Sequence, residues 1–94
     1  MKSHIWMSPG SGAICARLLA NQVAALAPGH IARRWISTAE LKSRQDEMHR
    51  LTGIVASLRS SLEGTPWEED GIKARMRCAK AHKVISAELA RRGR

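Results

Sequence analysis

Cys78 and His82 stand four residues apart, a spacing that puts a thiol and an imidazole on one face of a helix. A zinc site needs two more ligands, and Cys15, His30 and His49 fall at no zinc-like spacing, so no metal is expected. The same pair as nucleophile and base lacks a third group to orient the imidazole. The carboxylates Asp46-Glu47 and Glu68-Glu69-Asp70 read as surface partners, with Asp46 facing Arg50 and Glu69 facing Lys73 at i,i+4. No phosphate-binding glycine loop, dinucleotide fingerprint or Ser-His-Asp arrangement is present. The chain is therefore expected to be no enzyme, with no cofactor and no small-molecule substrate.

The basic residues carry the stronger signal. The 94-residue chain has 16 Lys+Arg against 8 Asp+Glu, a formal net charge of +8. Residues 73–94 hold eight basic residues against Glu88 alone. Placed at 100° per residue, Lys73, Arg77, Lys80 and Arg91 fall within about 60° of one another, with Lys83 on the flank. Such a stripe suits a phosphate backbone, whose condensed counterions it releases on binding. It carries no base-reading information by itself. Its bland alternative is a solvated polar face, offset in part by the acids at 40–63.

These residues need an element to hold them in line, and the sequence points to two long helices. Ser37-Thr38-Ala39-Glu40 reads as a capping box, with Ile36 and Leu41 placed as a hydrophobic staple. Leu41, Met48, Leu51, Val55, Leu58 and Leu62 then recur at coiled-coil spacing, with Arg44 the one polar position in the seam. Gly53 is the weak point of that helix, and Gly64 is a natural stop. Thr65-Pro66-Trp67-Glu68 reads as a second capping box with Pro at the first helical position. Ile72, Met76, Ile85 and Leu89 give the second helix an apolar stripe too broad for one partner helix to cover. The acidic start (68–70) and the basic end (Arg91, Arg92, Arg94) both complement the helix dipole.

The expected architecture is all-α: an antiparallel two-helix hairpin, about 38–63 and 66–92, with a short N-terminal helix over about 13–27. Aromatic residues are 3% of the chain, with no Phe or Tyr, which favours helix over sheet. A hairpin alone buries too little surface to be stable. It needs a third element: the N-terminal helix, a second copy of the chain, or a larger assembly.

Residues 1–36 form a separate zone, the first acid being Glu40. Ser8-Pro9-Gly10-Ser11-Gly12 reads as a breaker cluster, and Pro28-Gly29 ends the apolar run. That run carries Ile14, Leu18, Leu19, Val23 and Leu26, with Arg17 and Asn21 on its polar side. It is too short and too polar to span a bilayer. Acid-free composition with Arg33-Arg34 near its end matches a mitochondrial presequence, giving the matrix as the expected compartment and the cytoplasm as the alternative. The competing reading is a helix that packs on the rest. Two cysteines 63 residues apart form no disulfide framework, so both thiols are expected free.

The run from Leu58-Arg59 through Gly64 to Ile72–Leu89 is similar in architecture to a ribosomal-protein family that lays a basic two-helix hairpin on ribosomal RNA, although its spacing does not register over the first helix. The functional expectation is a non-enzymatic basic helical protein docking into a larger assembly. Lys73, Arg77, Lys80, Lys83 and Arg91 would contact RNA phosphates. Leu41, Met48, Leu51, Val55, Leu58, Leu62, Ile72, Met76, Ile85 and Leu89 would pack the helices. The rival is a purely protein–protein module: a coiled-coil subunit, a homodimer, an assembly factor, or a small phage or mobile-element regulator.

Overall fold

A computed structural model describes residues 8–93. Four helices occupy these residues: α1 (Pro9–Leu26), α2 (Ala32–Trp35), α3 (Thr38–Leu62) and α4 (Glu68–Arg92). Among the described residues there is no strand. The start of the chain, with Lys2 and Trp6, and the terminal Arg94 lie outside them.

The two long helices form the expected hairpin, and α1 packs against both. The third element is therefore the N-terminal helix. Its start lies beside the start of α4, where Gly10 backs onto the Trp67 ring. Its end lies beside the first turns of α3, where Arg44 donates to the Leu26 carbonyl. So α1 runs antiparallel to α3 and parallel to α4, in a bundle about 46 Å long.

α1 begins at Pro9, four residues before the start that its apolar run suggests. The Ser8–Gly12 cluster starts a helix rather than preventing one. Pro9 occupies the first turn, where its missing N–H is not needed, and the Ser8 hydroxyl accepts from the Ser11 N–H at 3.3 Å. Its buried face is a row of small residues, Gly12, Ala13, Ala16 and Ala20, ending in Val23. The larger Ile14 and Leu18 are 52% and 53% exposed.

The first capping box is half made. Ser37 Oγ accepts from the Glu40 N–H at 3.0 Å, but the Glu40 carboxylate turns to Arg44 at 3.1 Å. Ile36 and Leu41 both join the core, as a staple requires. Gly64 closes α3 with φ +78°, a left-handed turn that an L side chain adopts only with strain. At the second start, Thr65 Oγ1 accepts from the Trp67 N–H at 3.2 Å. The regular helix opens two residues later than expected, at Glu68.

The core is aliphatic. Leu41, Met48, Leu51, Val55, Leu58 and Leu62 from α3 meet Ala74, Cys78, Ala81 and Ile85 from α4 and the small row of α1. Gly71 lets the hairpin close tightly, because a Cβ there would lie 3.1 Å from the Arg59 Cα. Arg44, the one polar residue in the α3 seam, reaches across to the last turn of α1. It satisfies a carbonyl that the helix end leaves without a partner.

Candidate nucleic-acid interface

On α4 the core line is Gly71, Ala74, Cys78, Ala81, Ile85 and Glu88. Helical periodicity then places Lys73, Arg77 and Lys80 on the neighbouring edge, and all three are exposed. Lys83 is exposed but lies further round the helix. Among the described residues, none of these four makes an ion pair within 4.0 Å. The expected Glu69–Lys73 pair is not formed, and Arg50 bonds Glu47 rather than Asp46. Arg91 differs from its stripe neighbours: its guanidinium is paired with Glu88, and its charge is partly committed there.

The edge of α4 does not stand alone. A groove of about 720 Å³ separates it from α1, lined by Arg17 and Asn21 on one wall and by Trp67, Asp70, Lys73 and Arg77 on the other. Arg17 thus joins the cationic set from a different helix. The sequence places Arg17 on the polar side of its helix; that it sits across from Lys73 and Arg77 follows from α1 running parallel to α4. Trp67, 38% exposed, lies at the end of the groove beside Gly10.

The helix-packing residues divide. Leu41, Met48, Leu51, Val55, Leu58, Leu62 and Ile85 are buried, and Leu89 packs half-buried against the core. Ile72 is half-buried and Met76 is 63% exposed, so Met76 corrects the sequence expectation. α1 covers the Ala74–Ala81 side of α4, which rotates the core away from the Ile72–Met76–Ala79 line. Those three instead line a shallow groove of about 410 Å³ with Arg59 and Arg75.

Cys78 and His82 share a face of α4, Cys78 fully buried and His82 half-buried. Thr52 Oγ1 lies 3.0 Å from His82 Nε2. Burial pushes the Cys78 thiol up, and the nearby Thr52 hydroxyl and the Arg75 charge only partly oppose this. Burial holds the His82 imidazole below its ordinary range, helped by His49 and Arg75. The His49 and His82 rings lie 4.8 Å apart. Among the described residues, no group of three or more His, Cys, Asp or Glu could hold a metal ion.

Glu88 is the polar residue to which the sequence alone assigns no role. It is 6% exposed and holds Arg92 at 2.8 Å as well as Arg91. The two guanidiniums, Arg91 first, hold its carboxyl down to about 2. Arg92 in turn donates to Thr38 Oγ1 at 3.1 Å and to the Arg33 carbonyl at 2.8 Å. This ties the end of α4 to the start of α3 and to α2. A lone acid in a basic run is the visible signal, but its partners depend on the hairpin.

Fold and site together define a small, basic three-helix bundle with a cationic groove between two parallel helices. Among the described residues, no helix is long and apolar enough to cross a membrane. No protein-family model, curated protein or solved structure matches the chain.

Proposed function

We propose that this protein binds nucleic acid, RNA in the first instance, through phosphate contacts from the α1–α4 face, and acts as a structural part of a ribonucleoprotein rather than as an enzyme. The observation that carries this is the set of exposed cations Lys73, Arg77 and Lys80 along one edge of α4, with Arg17 across the groove from the first two, none held in an ion pair among the described residues. Cations already paired with carboxylates gain little from a phosphate, whereas these release counterions on contact. Lys83 and Arg91 are outer members of the set. Lys83 lies off the stripe, and Arg91 must share its charge with Glu88.

The test is a titration of a labelled structured RNA with the full chain at several salt concentrations. Log affinity is expected to fall linearly with log salt. Changing Lys73, Arg77 and Lys80 together to Ala is expected to flatten the slope by roughly 0.7–0.9 for each phosphate that is no longer neutralised. An unchanged slope in that variant, with the fold intact, would show the stripe to be a solvated face.

A protein partner is a second reading, favoured by Ile14 and Leu18, which are exposed on α1, Ile14 at the wall of the groove itself. Within a ribonucleoprotein the two readings are compatible. Pull-downs with and without nuclease separate them.

A further inference from the structure

The groove between α1 and α4 is graded along its length. Along α4 its residues run Trp67, Asp70, Lys73, Arg77, a span of roughly 15 Å with an indole and a carboxylate at one end and two cations at the other. Arg17 and Asn21 face them from α1. We infer that this groove takes the unpaired end of a single-stranded nucleic acid, with a base against the Trp67 indole and the adjoining phosphates on Lys73, Arg77 and Arg17. The inference rests on the phosphate-binding reading above and narrows it to one form of nucleic acid.

Size is the first argument. About 720 Å³ is the range of a small-ligand pocket, enough for a nucleotide and its neighbour. A duplex is a stiff cylinder with its bases stacked inside, and it can only rest across the rim. Polarity is the second. A groove built for phosphates alone has no use for Asp70, whose charge repels them. Beside an indole, that carboxylate can accept from the exocyclic amino group of a base. It confines phosphates to the Lys73–Arg77 end. The third is the indole itself. Stacking platforms flanked by cations are the recurrent way to hold single strands, because every base presents a π-face. Trp67 is 38% exposed at the groove end, on a segment held by the Thr65 hydroxyl.

The experiment compares a labelled single-stranded RNA of about a dozen nucleotides with the same sequence as a blunt duplex, by fluorescence anisotropy with the full chain. The single strand is expected to bind at least about tenfold more tightly, and Trp67→Ala to cost about tenfold on the single strand and nothing on the duplex. Trp67→Phe is expected to keep most of the affinity. Circular dichroism checks the fold of each variant. If Trp67→Ala does not fold, Gly10→Leu serves instead, because it fills the groove end from the α1 side and leaves every cation in place. It should show the same loss confined to the single strand. Equal binding of strand and duplex, or indifference to these substitutions, would overturn the groove assignment and leave phosphate binding standing. No binding of either RNA at low salt would remove both.

Discussion

Midway along α3 and α4, the Thr52 hydroxyl, the His82 ring and the Cys78 thiol meet as neutral groups. At the C-terminal end of α4, Glu88, Arg91 and Arg92 meet as ions. The contrast follows position. In the middle of the bundle Thr52 and Cys78 are buried and His82 is half-buried, and a charge there would lose much of its water with little in return. Near the end, the guanidiniums keep contact with solvent while the Glu88 carboxylate is covered, so the ions stay ionised and can be used as ties. The neutral cluster fills the space between two helices. The ionic one joins α4 to α2 and α3.

Breaking the ionic tie should have the largest effect. Arg92→Ala removes the bonds to Thr38 Oγ1 and the Arg33 carbonyl. The expected loss is about 2–3 kcal/mol in urea unfolding, with faster hydrogen exchange at the start of α3. A loss confined to the last turn of α4 would show that the tie does not hold the other elements.

The neutral cluster is expected to be worth less. Thr52→Val keeps the shape but leaves His82 Nε2 without its partner. A fall of roughly 1–2 kcal/mol in the same measurement is expected.

Acid should separate the clusters. His82 is held below its usual 6.5, so the unfolded chain takes up a proton first. Its share of stability is whole above pH 6.5 and declines as pH falls from there towards the depressed value. Glu88 is held at about 2 against an ordinary 4.5. Its share is whole above pH 4.5 and is lost as pH falls towards 2. Thermal melts across this range should therefore show two declines, the upper one absent in His82→Gln and the lower one reduced in Glu88→Gln to the share left by Glu47, which Arg50 also holds low. A single decline untouched by either variant would refute the assignment.

A site outside both clusters gives the smallest effect and the control. Gly53 is exposed in mid-α3 with open space around its Cα. Gly53→Ala should stabilise the bundle by roughly 1 kcal/mol without altering either acid transition.

Much of the hairpin was legible because its signals are local. The Ser37 cap, the Leu41–Leu62 periodicity, the Gly64 stop and the acid-to-base gradient of α4 depend on neighbours within a turn or two. α1 was harder. Pro and Gly near residues 8–12 mark a turn by type, yet Pro is equally at home in a first helical turn. Of the apolar run of α1, Ile14 and Leu18 lie exposed, whereas the buried face is mostly Ala and Gly and shares only Val23 with that run. Small residues allow close approach of helices, and that preference leaves little trace in a hydropathy pattern.

The same division holds for the candidate site. The sequence by itself determined that Lys73, Arg77 and Lys80 share an edge of one helix, since helical geometry needs no partner to align them. The fold decided that Arg17 stands opposite, that Met76 turns outward, and that Trp67 and Asp70 close one end of a groove. Each of these depends on which side of α4 the third helix covers. That choice was made by the fit of an alanine row against α3 and α4, a matter of shape across three segments, and no periodicity within one segment records it.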